Sequence, residues 1–413
     1  MRKLRKSKSL FIESVGNFLF SILIAIVGIA LLLGVAFLMS SDKKNINFKA
    51  IGIMIGLQIL VSWLLLSTGG GLKVIETVSK GFEKLLSYGY EGINFVVGGW
   101  IPEGGSPFFV NVLLPVVFTA ALLSLLTHLR VLPYIIKYLG GLLSKITGLP
   151  QVESFNAINS VFFGQSEAVL AIKSQIGNLD RNRLFIVSTS AMASVSAALI
   201  ASYMTMLPAK YVLVGVILNM FSGLIVASII APVKAKKEDS EIKIDDMIHT
   251  KNVFDAIGTG AIDGGKVTLI VGAMLIGYLG LLALLNGVFN GIFGMDLTTM
   301  IGYVFAPIAY LMGIPSGEII TSGSIMGTKL LSNEFVAILQ LQPLLDVLSA
   351  KASAILSTFL VSFANFSSIG IITGAVQAIN GAKAREVSGF GLKLLLVATM
   401  ASLLSATVVG LFV

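Results

Sequence analysis

Uncharged, apolar runs long enough to cross a bilayer recur along nearly the whole 413-residue chain. A spanning helix needs about 20 such residues at about 1.5 Å each. The runs lie at 18–39, 50–72, 105–127, 184–209, 211–232, 267–295, 352–382 and 394–413. They predict an all-α polytopic membrane protein with about eight spans. Only 12% of the residues are charged, against about 25% in a soluble domain, so a water-facing coat cannot be assembled. A soluble enzyme, a disordered chain and a disulfide scaffold are thereby excluded. The chain has no Cys, and His128 and His249 stand far apart, so no metal site is expected. The 18–39 run follows a basic tail (Arg2, Lys3, Arg5, Lys6, Lys8) but is too long for a signal-peptide core, and is expected to stay as a helix.

Two further regions are apolar yet fail the length test. The first is uncharged over 154–166, is interrupted by Glu167 and reaches Lys173 six residues later. The second runs over 319–328, through Lys329, Ser332, Asn333 and Glu334, and continues over 335–345. Arms of about a dozen residues cross half a bilayer. Both regions are therefore expected to be re-entrant hairpins, with tips near Gly164-Gln165-Ser166 and Ser332-Asn333. Such backbone is tolerated at membrane depth only where it is buried in protein or lines a cavity.

The 352–382 run has the opposite defect, being too long for one straight crossing. Polar residues interrupt it at Phe363-Ala364-Asn365-Phe366-Ser367-Ser368. A helix broken there offers unpaired backbone groups to a ligand. Residues 72–88 set Leu72, Ile75, Val78, Phe82, Leu85 and Leu86 against Lys73, Glu76, Lys80, Glu83 and Lys84, the pattern of a helix lying in the interface.

The second half of the chain repeats the first. Leu149-Pro150-Gln151-Val152-Glu153 matches Ile314-Pro315-Ser316-Gly317-Glu318, and Ser166-Glu167-Ala168-Val169 matches Asn333-Glu334-Phe335-Val336. Met192-Ala193-Ser194-Val195-Ser196 then matches Phe363-Ala364-Asn365-Phe366-Ser367, at offsets that drift from 165 through 167 to 171. Each repeat is expected to hold a hairpin with a carboxylate at its tip, a helix with a polar break and a plain helix. Transporters with their site at the midplane between repeats are built this way. An ionisable group inside a membrane is costly, so Glu167 and Glu334 are functional candidates.

The loops at 40–49, 128–154, 173–183, 233–266 and 383–393 carry most of the 29 Lys and Arg residues, and are expected to be cytoplasmic. The basic tail pulls the other way, and five loops outweigh one tail. On this topology the repeats are inverted. Gly260 to Lys266 spell the start of a phosphate-binding loop, but Val267 replaces the Ser or Thr and no strand precedes it, so a helix start is expected instead. The resulting layout is a tail (1–17), scaffold and interfacial helices (18–131), a first repeat (132–232), a cytoplasmic loop with a scaffold helix (233–299) and a second repeat (300–413).

Taken together, the two hairpin motifs and the broken-helix motif resemble those of the concentrative nucleoside transporters. Gly164-Gln165-Ser166-Glu167-Ala168 looks like that family's first-hairpin signature, Ser332-Asn333-Glu334-Phe335-Val336-Ala337 its second, and Phe363-Ala364-Asn365-Phe366-Ser367-Ser368 its broken-helix signature. The resemblance implies an elevator-type homotrimer in a bacterial cytoplasmic membrane, not an enzyme, importing nucleosides, pyrimidine nucleosides and adenosine foremost. It implies that Gln165, Ser166 and Glu167 face the nucleobase, with Leu199 and Phe363 lining its pocket. Glu334, Asn365 and Ser368 would hold the ribose hydroxyls. No cofactor and no nucleic-acid partner is implied.

One departure bears on the coupling ion. Sodium-coupled members of the family place Asn four residues before the first-hairpin glycine, where this chain has Ser160. The other members of that cation site correspond to Phe163, Ser194 and Val195. A Ser hydroxyl is a shorter and weaker cation ligand than an Asn amide oxygen. The resemblance therefore implies H+ coupling through Glu167, and secondarily Glu334, with a vestigial cation site. Na+ coupling, or symport of another polar solute, is the alternative.

Overall fold

The structure, a computed structural model, describes residues 2–100, 107–233, 242 and 244–413, with side chains from residue 20 onward. The side chains of the basic tail, residues 105–106 of the third predicted span and most of 234–243 in the predicted cytoplasmic loop lie outside that description. Every regular element among the described residues is helical. Among the described residues, seven helices are long and apolar enough to cross a membrane. The 352–382 run is two short halves, Ala350–Leu360 and Phe366–Gln377, broken where its polar residues predict. One further apolar helix, Leu297–Leu311, has no counterpart in the predicted spans; its 15 residues are too few for a full crossing and it carries Pro307.

Both hairpins form where expected. In the first, Gly164 (φ 78°, ψ −172°) interrupts the Gln151–Leu170 helix and separates arms at 151–163 and 165–170. In the second, Ile319–Leu331 turns through Ser332 and Asn333 into Glu334–Leu341. The outward arms have about the predicted length, but the return arms are shorter than the predicted dozen residues. The second return arm stops where Pro343, which lacks an amide hydrogen, follows Gln342.

The repeat extends to how the hairpins are anchored. Glu153 opens the first hairpin and takes a bidentate pair from Arg183, with Nε to Oε1 at 2.5 Å and Nη2 to Oε2 at 2.9 Å. Arg183 belongs to the first turn of Arg181–Ala193. Its counterpart, Glu318, accepts from the amide of Ser349 at 2.9 Å and from its hydroxyl at 2.7 Å, and Ser349 caps Ala350–Leu360. In each repeat, then, a carboxylate at the hairpin base grips the start of the broken helix that follows.

Both broken helices are present, at Arg181–Ala193 with Ala197–Met204, and at Ala350–Leu360 with Phe366–Gln377. Their helix ends correct the sequence match. Ala193 pairs with Leu360 and Ala197 with Phe366, so the offset is 167 before the break and 169 after it, not 171. The second break contains two extra residues, and Phe363 lies in the middle of it.

The plain helices Ala209–Ile230 and Gly391–Gly410 pack on each other and carry the broken helices. Outside them, the long helix Val253–Phe293 lies against Pro115–His128. A Cβ at Gly260 would meet the Ala120 carbonyl at 2.8 Å, and one at Gly264 the Val116 carbonyl at 2.8 Å. The glycines of the phosphate-loop lookalike thus allow close helix contact inside a membrane, where small residues let backbones approach. The amphipathic helix extends beyond its prediction, over Gly69–Val97; Ile75 and Leu86 are buried, while Lys73, Glu76, Lys80, Glu83 and Lys84 are exposed.

Candidate functional site

The two breaks meet. The Phe363 amide donates to the Ser194 carbonyl at 3.0 Å, and Asn219 of the first plain helix donates its amide to the Val361 carbonyl. Unwinding exposes backbone groups that the protein must then satisfy. On the N-terminal side of each second half, a side chain does this. Ser196 accepts from the Ala198 amide at 3.3 Å, and Asn365 Oδ1 accepts from the Ser368 amide at 3.1 Å. Ser368 Oγ donates to the Phe363 carbonyl and lies 3.2 Å from Asn365 Oδ1.

The hairpin tips close on this seam. A Cβ at Gly164 would sit 3.1 Å from Ser196 Cβ and 3.4 Å from Phe363 Cε2, so the first tip rests on both breaks. Beside it Gln165 is buried, and its side-chain oxygen has no hydrogen-bond partner among the described residues. A buried acceptor left empty costs about 1–3 kcal/mol, so this oxygen is available to a ligand. Ser166 donates to Glu167 Oε2 at 2.8 Å, and the Glu167 side chain is exposed.

From the second tip comes Glu334, buried at 5% exposure. Its Oε1 accepts the Tyr203 hydroxyl at 3.0 Å and its Oε2 accepts the Asn365 amide at 3.2 Å. An ionised carboxylate offers about four lone-pair sites, so each oxygen can take one more donor. Glu334 also begins its helix, with Asn333 capping Val336 at 3.0 Å, and a helix N-terminus favours negative charge. Leu199 is buried in an apolar cluster with Val195, Tyr203 and Phe335, and Phe363 packs against that cluster.

The structure therefore joins Glu334, Asn365, Ser368 and Phe363 through direct contacts, and sets the Gly164 tip that carries Gln165, Ser166 and Glu167 against Phe363. Of the four residues compared with a cation site, Ser160 donates its hydroxyl to the Asn156 carbonyl one turn back, at 2.7 Å. Its own carbonyl accepts the Ser194 hydroxyl at 3.0 Å. Val195 is fully buried and Phe163 half-buried.

Two side chains at the site had no role in the sequence reading. Tyr203 stacks edge-on against Phe335, with ring centroids 5.0 Å apart, while it holds Glu334. Nothing in the apolar stretch 197–204 marks a tyrosine as a partner for a carboxylate in another repeat. Lys329 is fully buried, and its ammonium donates to the Phe359 carbonyl and to Ser362 Oγ. Here a signal existed, because a lone charge in an apolar hairpin arm is costly for the same reason as the two glutamates.

Comparison with known proteins gives the family and the fold. Sequence models of a family described as Na+ dependent nucleoside transporter match residues 27–100 for its N-terminus and 211–410 for its C-terminus; one described as nucleoside recognition matches 109–210. The Purine nucleoside transport protein NupG of Bacillus subtilis is 35% identical, over 95% of this chain and 99% of its own length. The chain belongs to the concentrative nucleoside transporter family. The Nucleoside permease NupC of Helicobacter pylori is 34% identical, over 96% of this chain and 99% of its own. Among solved structures, CNTnw in an inward-facing, substrate-bound state superposes with a TM-score of 0.90 at 30% identity, covering 95% of this chain and 98% of that one. A substituted form of the same protein in an outward-facing state gives 0.88 at 30% identity, covering 95% and 97%. As a member of this family the chain is a multi-pass transporter of the cytoplasmic membrane, with an elevator-type fold.

Proposed function

We propose that this transporter imports nucleosides by H+ symport, binding the ribose at Glu334, Asn365 and Ser368 and the base at Gln165, Ser166 and Glu167 between Leu199 and Phe363. The observation that carries the reading is Glu334, a buried carboxylate whose two oxygens each accept one side-chain hydrogen bond among the described residues, from Tyr203 and from Asn365. Two vicinal hydroxyls of a ribose match these two oxygens. The unpartnered Gln165 oxygen supplies an acceptor for a base. A site that pairs polar groups in this way rejects an analogue lacking them.

For the coupling ion, support comes from Ser160, whose hydroxyl bonds within its own helix, and from Glu167, an exposed carboxylate at the first tip that accepts a hydrogen bond from Ser166. A neutral nucleoside carried with one H+ moves one positive charge, and about 2.3 kcal/mol per 100 mV sustains roughly 50-fold accumulation. The sodium-dependent reading is favoured by the description of the matching family, and one experiment separates the two. Nucleoside uptake into proteoliposomes is measured under a pH gradient and a sodium gradient imposed separately. H+ symport gives uptake that rises as the outside is acidified and collapses with a protonophore. Stimulation by sodium at constant pH and potential overturns it. Uridine, adenosine and guanosine in the same assay test the proposed selectivity for pyrimidine nucleosides and adenosine against the purine selectivity in the name of the Bacillus relative. We further propose a homotrimer, which the mass of the detergent-extracted protein tests.

A further inference from the structure

The two repeats hold their breaks by different means. In the first, the side-chain hydrogen bonds that join hairpin and break among the described residues are neutral, and the charged pair of Glu153 and Arg183 lies away from the break, at the hairpin base. Ser194 Oγ donates to the Ser160 carbonyl at 3.0 Å and Ser196 Oγ to the Phe162 carbonyl at 3.4 Å. In the second, the contacts are charged on both sides of the break. Lys329, on the outward arm, donates to the carbonyl of Phe359 and to Ser362 Oγ, with its ammonium 4.2 Å from the Phe359 ring centroid. Phe359 lies in the last turn of Ala350–Leu360, where carbonyls lack helical partners and the helix end attracts a cation. Glu334, five residues further along the same hairpin, takes the Asn365 amide at the start of the other half-helix.

A fully buried ammonium in a membrane protein is costly unless its charge is balanced. No carboxylate lies within ion-pair distance of Lys329 among the described residues, so the break itself separates it from its opposite charge. Among the described residues, the titratable groups that act on Glu334 are Tyr203, in direct contact, and Lys329, across the break, and Glu334 acts in turn on Lys329. Ser362 hands its contact on to Ser402 of Gly391–Gly410 at 2.6 Å, which fixes the ammonium against the plain helix as well.

We propose that Lys329 is the built-in countercharge of Glu334, a positioning residue that keeps the sugar-binding carboxylate charge-balanced. The second repeat then presents a neutral pair to the nucleoside, and Glu167 is the site's uncompensated carboxylate. Electrical work in the cycle falls on the first hairpin, while the second hairpin binds sugar without carrying net charge. This rests on the ribose assignment made above.

The test measures binding of uridine and of 2′,3′-dideoxyuridine to purified protein across a pH series, in wild type, K329M, E334Q and K329M/E334Q. A carboxylate left buried without a countercharge takes up a proton and stops accepting two hydroxyls. At neutral pH, K329M should therefore bind uridine at least about tenfold more weakly, as expected for losing a hydrogen bond to a charged group. Its affinity should recover in alkaline buffer, and dideoxyuridine binding should match wild type throughout. The double variant should bind no more weakly than E334Q. A wild-type pH profile in K329M, or equal loss of both ligands at every pH, overturns the proposal. If K329M does not fold, thermal unfolding of the double variant decides: recovery of a folded protein supports charge balance, and failure to recover shows that Lys329 only holds the break together. Wild type that binds both ligands equally, or neither, removes the ribose assignment itself and is distinguishable from these outcomes.

Discussion

Tyr203, in the second half of the first broken helix, donates its hydroxyl to Glu334 at the tip of the second hairpin, 3.0 Å away. One of the two residues that hold the candidate sugar carboxylate thus comes from the opposite repeat. The geometry of this candidate site depends on how the repeats sit against each other, as well as on the motif around Glu334.

Glu334→Gln and Asn365→Ala should each abolish most nucleoside uptake. Losing a hydrogen bond made by a charged group costs about 1.5–3 kcal/mol, and the partner left buried adds to that. 2′,3′-Dideoxynucleosides should bind wild type poorly and barely distinguish it from either variant. Competition binding with both ligand sets checks this; wild-type affinity that ignores the sugar hydroxyls removes the assignment.

Gly164 has backbone angles, φ 78° and ψ −172°, that belong essentially to glycine alone. A residue with a side chain there costs about 1–3 kcal/mol, and its Cβ would press on Ser196. Gly164→Ala should reach the membrane at wild-type levels yet lose at least about tenfold in uptake as the first tip lifts from the breaks. Normal uptake by this variant would show that the tip does not need its observed conformation.

Because the chain contains no Cys, single cysteines can be read without background. Cysteines at Gln165 and Asn333, both buried at the tips, should react with permeant thiol reagents from one shared cavity. Nucleoside should slow both reactions. Free labelling that substrate does not change, at either position, argues against a common site.

Arg183→Ala leaves Glu153, fully buried, without its bidentate partner. Breaking such a pair costs about 3–5 kcal/mol, so the variant should unfold well below wild type in a detergent thermal melt. A Glu153→Gln/Arg183→Met double variant should recover much of the loss. Equal melting of the single variant and wild type would mean that the pair contributes no net stability.

Glu167→Gln should retain some nucleoside exchange but lose accumulation driven by a proton gradient. Counterflow and net uptake, measured in the same proteoliposomes, separate the two activities. Full proton-driven accumulation by this variant would move the coupling role elsewhere.

Hairpins, breaks and tips were legible because each violates a simple rule: too short to span, too long to span, or charged where lipid should be. Gly164 and Asn333 stand at the turns for reasons visible in one residue. What depends on packing between distant segments was not legible. Tyr203 carries no local sign that its hydroxyl meets a carboxylate 131 residues away. Arg183 looked like a loop cation, and its burial against Glu153 follows only once Arg181–Ala193 packs on the first hairpin. The two extra residues of the second break were hidden because Phe363-Ala364-Asn365 resembles Met192-Ala193-Ser194 in pattern but not in structural register. Leu297–Leu311 was missed because it packs against the second hairpin at glycines, Gly302 and Gly323, and has no need to span.

Each repeat is a closed mechanical circuit. Its hairpin is clamped at the base to the start of the broken helix, through Glu153 or Glu318, and seated at the tip on the break in that same helix. Bending such a unit internally means opening one of its two joints, and in the first repeat the base joint is a buried ion pair worth about 3–5 kcal/mol to break. Displacement of the whole unit against the outer helices opens neither joint. The compliance needed for alternating access therefore resides at the boundary between this unit and helices such as Pro115–His128 and Val253–Phe293, and the binding geometry can travel across the membrane unaltered.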